Sequence, residues 1–128
     1  MKPIFSCSIP GRIYVKKNTA RRFGSGKGTR LIYSDNFLAW EKTAKRTLHL
    51  TNKSTVIECL LFAVYRFYFK DHQAEADVSN LVEGVADALT DSNVIGDDKQ
   101  IYKFTSEKFF VHDPRVEIDL FEYKETAA

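Results

Sequence analysis

The chain has 128 residues and an ordinary globular composition, with 44% hydrophobic and 28% charged residues. This length predicts one domain, residues 1–128, that buries a single core of ordinary size. No apolar run approaches the roughly 18 residues that a membrane span requires, and the N-terminus lacks the apolar segment of a signal peptide, so we expect no membrane partner and a cytoplasmic location.

The net charge of +2 conceals a strong asymmetry along the chain. Residues 1–53 contain 12 Lys or Arg and 2 acidic residues, a net charge of +10, whereas residues 54–128 contain 7 Lys or Arg and 15 acidic residues, a net charge of −8. This segregation favours a polyanion partner for the basic half and a divalent cation for the acidic half. The alternative is that folding interleaves the two halves into one mixed surface.

The first part of the chain predicts short strands around a basic loop. Residues 4–9 are apolar and β-favouring and stop at a Pro-Gly pair, which predicts a strand and a turn. Residues 12–15 and 31–33 are predicted as two further short strands. Between them, residues 16–30 are basic and carry three glycines at alternate positions, which predicts a long loop or the two arms of a loose hairpin.

This basic loop is a candidate DNA-binding arm, because its cations suit phosphate contacts. Phe23 and Tyr33 are available for stacking on bases. The residues predicted to contact DNA, including one lysine on a later strand, are Lys16, Lys17, Arg21, Arg22, Lys27, Arg30 and Lys108. A basic loop is more often simply solvated, and a steep loss of affinity with salt separates the two interpretations.

Two amphipathic helices flank a long apolar strand in the middle of the chain. Ser34 or Asp35 predicts the N-cap of a helix that ends near Leu50. Residues 56–69 are β-branched and aromatic, and predict a central strand. Residues 77–89 then predict a second helix, with an apolar stripe at helical spacing and an acidic residue or serine as its cap.

Two alternating strands, 99–110 and 115–123, close the chain and are predicted to form a hairpin. The resulting order of elements predicts an α+β fold, a small mixed β-sheet with two helices packed on one face. Cys7 and Cys59 both fall in predicted apolar strands, where we expect buried, unpaired thiols rather than a zinc site.

An acidic segment follows the central strand and is where we expect the chemistry. Its acids are Asp71, Glu75, Asp77, Glu83, Asp87, Asp91, Asp97 and Asp98. Hydrolysis of a phosphodiester needs a polarised phosphoryl group, an activated water and a stabilised leaving group, and Mg²⁺ held by carboxylates supplies all three. Asp77 at a helix start and Asp97-Asp98 just before a strand suit such a site, although most surface acids are merely solvated.

The spacing within this segment is more specific than its charge. Residues 77–89 read DVSNLVEGVADAL, and residues 97–101 read DDKQI. Together they resemble the signature of the RusA family of Holliday-junction resolvases, roughly D-x-D-N-L-x-K-x-x-x-D-A-L followed by D-D-x-Q-[IV]. A basic loop, a Trp-bearing helix and Lys108 on the strand after Asp98 agree with the same family, and the likeness spans nearly the whole chain.

The resemblance implies a RusA-like fold, a homodimer, and cleavage of branched DNA that depends on Mg²⁺, with Mn²⁺ as a substitute. It implies that Asp77 and Asp98, with Asp97 beside the latter, are catalytic and bind the metal, and that Asn80 and Asp87 are structural. Ser79 stands where the family has its second metal-binding aspartate, and Glu83 stands where it has a lysine. Since Ser79 and Glu83 lie four residues apart on one helix, we expect Glu83 to restore the lost carboxylate.

Three functions therefore stay open from the sequence. The first is a structure-selective DNA endonuclease acting in recombination and repair. The second is a catalytically impaired relative that binds branched DNA or a replication partner without cleaving. The third is a protein that binds a partner through its acidic face and has no affinity for nucleic acid.

Overall fold

The structure, a computed structural model, describes residues 2–15, 21–23, 30–32, 34–52, 55–70 and 77–125. In chain order its elements are β1 (Phe5–Pro10), β2 (Arg21–Phe23), β3 (Arg30–Ile32), α1 (Asp35–Thr51), β4 (Leu61–Phe69), α2 (Val78–Asp91), a short 3-10 helix (Asp98–Gln100), β5 (Ile101–Phe110) and β6 (Arg115–Glu122). Among these residues, neither helix has both the length and the apolar character needed to cross a bilayer.

Four of the strands form a mixed sheet in the order β1-β6-β4-β5. β6 pairs antiparallel with β1 and with β4, whereas β4 pairs parallel with β5. Parallel neighbours require a crossover connection, and α2 supplies it between β4 and β5. Both helices contribute to the one core with the inward side chains of the sheet. The predicted α+β class, a small mixed sheet with two helices on one face, is confirmed.

The predicted hairpin between the last two strands is wrong, because β4 lies between them. The inward positions of β4 are all buried, so this strand takes the centre of the sheet and pairs along both edges. The connection from β5 to β6 passes the end of β4, where the Val111 amide donates to the Phe69 carbonyl at 2.8 Å. Consecutive strands with alternating patterns therefore suggest a hairpin, although β5 and β6 each pair with β4 instead.

The two faces of the sheet differ in character. The helix face, which contacts α1 and α2, carries the inward side chains of β4 and those of β6, including Val116, Ile118 and Leu120. The open face is the opposite one, on which no described helix packs. It carries the half-buried side chains Phe62, Val64, Arg66 and Tyr68 of β4.

Helix α1 begins and packs as its sequence predicts. Ser34 is the N-cap, and its hydroxyl accepts a hydrogen bond from the Phe37 amide at 3.2 Å. The buried stripe runs through Phe37, Trp40, Ala44 and Leu48, which recur at helical spacing and pack into the core.

Several local predictions need correction. Residues 12–15 form no strand, although Ile13 and Val15 are buried, so their apolar alternation reflects packing without pairing. The central strand begins at Leu61 rather than at residue 56, since the preceding segment is tied to the loop before β5. Cys59 therefore lies outside the strand and is exposed, whereas Cys7 is buried as predicted. The arms of the basic loop do pair, as β2 with β3.

Candidate active site

The start of α2 presents the first group of predicted site residues. Asp77 is the N-cap, but its side chain does not cap the helix, and it is exposed. Its carbonyl accepts from the Asn80 amide at 3.0 Å, so this stretch turns directly into the helix. Ser79 and Glu83 follow at a four-residue spacing, which places them one turn apart on the same side of α2, and both are exposed. The side of the helix that bears them faces the start of β5.

The Asp97-Asp98 turn is the second group, and Gln100 holds it in place. The Gln100 side-chain oxygen accepts hydrogen bonds from the amides of Gly96 at 2.7 Å and Asp97 at 2.9 Å. Its side-chain nitrogen donates to the carbonyls of Ile57 at 2.9 Å and Cys59 at 3.0 Å. One side chain thus closes the turn and fastens it to the segment before β4. This is the structural role of Gln100, the glutamine of the D-D-K-Q segment in this chain.

The turn is also shaped at its two ends. Asp97 is the N-cap of the 3-10 helix, and its carboxylate accepts from the Lys99 amide at 3.1 Å. Just before it, Val94 and Ile95 are fully buried and anchor the loop in the core. A Cβ at Gly96 would stand 3.1 Å from the Gln100 side-chain oxygen, so a side chain there would crowd the hydrogen bond that closes the turn.

These two groups meet at a pocket of about 260 Å³ between α2 and the start of β5. Its lining residues are Tyr65, Ser79, Val82, Glu83, Ala86, Asp98, Ile101 and Phe104. Of the predicted site residues, the pocket brings together Ser79, Glu83 and Asp98. Asp77 and Asp97 lie beside it in sequence but do not line it, and Asn80 and Asp87 do not either.

The two aspartates of the turn differ electrostatically. The hydrogen bond from the Lys99 backbone, and then the contact with Asp98, hold the pKa of Asp97 below its usual range. The hydrogen bond with Asp97, followed by partial burial and the charges of Asp97 and Asp87, raises the pKa of Asp98. The negative charges of Asp97 and Asp87 thus disfavour ionisation of Asp98, and a cation beside Asp98 would oppose this effect.

Tyr65 forms the buried wall of the pocket and is its most unusual polar residue. The side chain is 1% exposed, and its hydroxyl has no hydrogen-bond partner among the described residues. Burial, and then the charge of Asp98, raises the pKa of Tyr65, so the hydroxyl stays protonated. A buried hydroxyl without a partner costs about 1–3 kcal/mol. The fold tolerates that cost next to the acidic residues.

The donor atoms at this pocket are of the type that Mg²⁺ binds, since carboxylate and hydroxyl oxygens suit a hard cation. Glu83 and Asp98 supply the carboxylates and Ser79 the hydroxyl. Within the described residues, however, no three His, Cys, Asp or Glu side chains lie close enough together to hold one ion. The residues therefore fit the cation in chemistry, and one or more of them must turn into the pocket for a full set of ligands.

Most of the side chains predicted to contact DNA lie outside the described residues. Lys16, Lys17 and Lys27 lie outside the described residues, as do the side chains of Arg21, Arg22 and Arg30, although the last three belong to the paired strands β2 and β3. Lys108 is half-buried and aligned with Phe67, toward the far end of β5. Since a strand rises about 3.3 Å per residue, Lys108 lies roughly 20 Å from the Asp98 end of that strand.

Sequence reasoning missed two residues of this site. Gln100 was part of the quoted motif, yet its role as the brace of the turn was not predicted, and an amide three residues after an N-cap aspartate is the signal of a capping box. Tyr65 had no signal at all, because a tyrosine in an apolar strand looks the same whether or not its hydroxyl finds a partner.

Comparison with known proteins agrees with the motif. The family model described as Endodeoxyribonuclease RusA matches residues 10–120. No curated protein matches the chain. The matched region runs from the end of β1 to β6 and contains both halves of the pocket. Because it covers most of the sequence, the chain belongs to the RusA endodeoxyribonuclease family.

Proposed function

We propose that the protein is a metal-dependent endodeoxyribonuclease that resolves Holliday junctions or other branched DNA by phosphodiester hydrolysis in recombination and repair. The family is described by its endodeoxyribonuclease activity. The observation that carries the proposal is the shared pocket of Ser79, Glu83 and Asp98, because the two halves of the motif converge there from separate elements. Convergence of oxygen donors is what a hydrolytic metal site needs.

In this proposal Asp98, Glu83 and Ser79 bind Mg²⁺, or Mn²⁺ in its place. Asp77 and Asp97, which lie close in sequence to the lining residues, are proposed to complete the set of ligands. A cation held by these residues would polarise the phosphoryl group and lower the pKa of a bound water. Gln100 holds Asp98 in place, and the half-exposed ring of Phe104 forms an apolar side of the pocket.

The direct test is cleavage of a synthetic four-way DNA junction in Mg²⁺ or Mn²⁺. Asp98→Asn and Asp77→Asn keep the shape of each side chain and remove its charge, and we expect both to lose cleavage. Asp113→Asn is the matched control, since Asp113 is an exposed aspartate at the turn after β5, at the far end of that strand. A wild-type protein that leaves the junction intact in both metals would refute the nuclease assignment.

Glu83 is proposed to replace the carboxylate that Ser79 cannot supply. Both residues line the pocket, one helical turn apart. Calorimetric titration of Glu83→Gln with Mn²⁺ should therefore show about tenfold or greater loss of affinity, the scale of losses seen around metal sites. Glu122→Gln, an exposed glutamate on β6, is the control. Unchanged affinity in Glu83→Gln would refute the compensation.

A second candidate function is binding of branched DNA, or of a replication partner, without cleavage. It is favoured by the serine at position 79, the glutamate at position 83, and the lack of a closed three-ligand group among the described residues. This function predicts junction binding that weakens steeply with salt while the DNA stays intact in Mg²⁺ and Mn²⁺. A protein that binds partners through its acidic residues alone would show no salt-dependent DNA binding.

A homodimer belongs to the same proposal, because symmetric cleavage of two strands requires two active sites. Sedimentation of the protein with and without a four-way junction measures this directly. We expect two copies of the chain on one junction, and a single copy per junction would contradict the symmetric mechanism.

A further inference from the structure

Tyr65 is the only described inward residue of β4 that carries a polar side-chain atom. The other inward residues are Leu61, Ala63, Phe67 and Phe69, all apolar and fully buried or nearly so. A phenylalanine at position 65 would fill the same space without burying an unpartnered hydroxyl. Since buried polar groups in native structures are nearly always paired, an unpaired one that lines a pocket points to a partner that arrives with a ligand.

The ring of Tyr65 packs against two aromatic neighbours. Its centroid lies 6.2 Å from that of Phe104 on β5 and 6.3 Å from that of Phe67 on the same strand. The hydroxyl therefore has little freedom to find a partner by itself. Asp98 lines the same pocket, and its negative charge acts on this hydroxyl.

Asp98 is at the same time turned toward Asp97. The Asp98 carboxylate does not accept a hydrogen bond from Tyr65 in this arrangement, because the Tyr65 hydroxyl has no hydrogen-bond partner. A divalent cation beside Glu83 and Ser79 would attract the Asp98 carboxylate into the pocket, because opposite charges attract strongly at short range. A carboxylate that leaves Asp97 and turns into the pocket moves toward the unpartnered hydroxyl.

We propose that Tyr65 is a positioning residue of this site, whose hydroxyl donates a hydrogen bond to the Asp98 carboxylate when Asp98 turns into the pocket to bind a divalent cation. The inference rests on the proposed function, because it concerns the same metal site. Carboxylates that bind metals are commonly oriented by such outer hydrogen bonds. Tyr65 thereby supplies from β4 an orienting contact that neither Ser79 nor Glu83 makes in the structure.

The test measures the tyrosine itself rather than catalysis. Mg²⁺ is added to the full-length protein, and the ultraviolet difference spectrum is recorded, since a new hydrogen bond from a phenol shifts tyrosine absorbance to longer wavelength. We expect the shift in the wild type and its loss in Tyr65→Phe and in Asp98→Asn. Tyr68→Phe is the matched control, because Tyr68 lies on the open face of the same strand and donates to Glu117 at 3.0 Å.

Calorimetric titration with Mn²⁺ alone gives the second measurement. We expect Tyr65→Phe to weaken Mn²⁺ binding about tenfold, the lower end of losses on removing an outer hydrogen bond, and Tyr68→Phe to change it less than twofold. Thermal unfolding of the metal-free Tyr65→Phe protein should be unchanged or shifted upward, because the substitution removes an unpaired polar group. A residue that served only packing would leave both the spectrum and the affinity unchanged.

Each result decides the proposal. An Mg²⁺-induced shift that survives in Tyr65→Phe, or Mn²⁺ affinity in that variant within twofold of the wild type, overturns it. A wild type that binds neither metal overturns both this inference and the proposed nuclease. A wild type that binds Mn²⁺ with the expected dependence on Tyr65, but cleaves no junction, supports the positioning role and refutes the nuclease alone.

Discussion

The two faces of the four-stranded sheet differ in whether their polar side chains have hydrogen-bond partners. On the open face, the Arg66 guanidinium donates to Glu117 at 3.0 Å and to Asp119 at 2.7 Å. Tyr68 and Arg115 also donate to Glu117, and Arg115 stacks over the Tyr68 ring at 3.9 Å. Because these groups bind one another, we assign them a role in the stability of the fold.

The pocket on the helix face shows the reverse arrangement. Tyr65 has a buried hydroxyl without a partner, and the neighbouring Asp97 raises the pKa of Asp98, which lines the same pocket. Polar groups that the fold leaves unsatisfied are characteristic of functional sites, where a ligand completes them. We infer that the contrast separates residues with a structural role from residues that bind a ligand, and five substitutions test this inference.

The largest effect is expected from exchanging one aspartate on each face. Asp98→Asn should lower junction cleavage at least about a hundredfold, beyond the losses seen for outer-shell residues of metal sites, without loss of stability. Asp119→Asn should retain cleavage and lower the free energy of unfolding, because it weakens the pairing with Arg66 and Ser6. Cleavage kinetics and urea unfolding of both variants measure these opposite effects on activity and stability. Equal stability loss in the two variants would remove the distinction between the faces.

Gln100→Leu should affect stability and activity together. Leucine keeps the volume but leaves two amides and two carbonyls without the side chain that they bind, which should cost about 2–3 kcal/mol in the free energy of unfolding. Cleavage should also fall, since Asp98 loses the brace of its turn. Gln100→Glu serves as the comparison, because it retains the acceptor and removes the donor. A stable Gln100→Leu protein with full activity would show that the brace is dispensable.

Arg66→Met should lower stability alone. The substitution leaves the Glu117 and Asp119 carboxylates without their shared cation, and because the Arg66 side chain is 31% exposed, solvent screening limits the expected loss to about 1 kcal/mol. Urea unfolding measures it, and the rate of junction cleavage should stay within twofold of the wild type. A large loss of cleavage would mean that the open face contributes to the site.

The smallest effect is a dependence of stability on pH. Burial raises the pKa of Glu117 and of Asp119, but hydrogen bonds from Arg115, Arg66 and Ser6 outweigh it, so both pKa values lie below their ordinary range. Their stabilisation is present above the ordinary carboxyl pKa of about 4 and is lost as the pH falls through the lowered values.

Asp98 affects the pH dependence of stability in the opposite direction. Its pKa is raised, so its contribution to stability is lost as the pH rises through that value. Unfolding of the wild type between about pH 2 and pH 7 should therefore become easier toward the acid end, where the open-face acids become protonated. Arg66→Met should flatten this slope. An unchanged slope in that variant would contradict the assigned cause.

The sequence predicted the helices and the motif better than it predicted strand partners. Helix α1 follows from Ser34 and an apolar stripe at helical spacing, both of which are local signals. The pairing of β5 and β6 with β4, by contrast, depends on which strand buries most side chains. The alternation of residues within one strand does not indicate which strand lies beside it. Two adjacent alternating strands therefore predicted a hairpin that does not form.

The candidate site divides in the same way. The motif spacing singled out Ser79, Glu83 and Asp98, which line one pocket, because helical periodicity and motif spacing are properties of the sequence. It also singled out Asp77 and Asp97, which do not line the pocket. The roles of individual residues were less accessible. Asp97 turned out to cap the 3-10 helix, and the buried hydroxyl of Tyr65 could be found only by asking which polar atoms lack a partner.

The parallel crossover from β4 through α2 to β5 has a consequence for how the molecule folds. Every residue that lines the pocket lies on this continuous stretch of chain, so the pocket forms from contacts between segments that are near in sequence. The pairing of β1 with β6, which aligns Phe5 with Leu120, must instead close a loop of almost the entire chain. Because distant contacts carry the larger entropic cost, we expect the crossover unit to form early and β1 to dock late, with the pocket assembled before the sheet is complete.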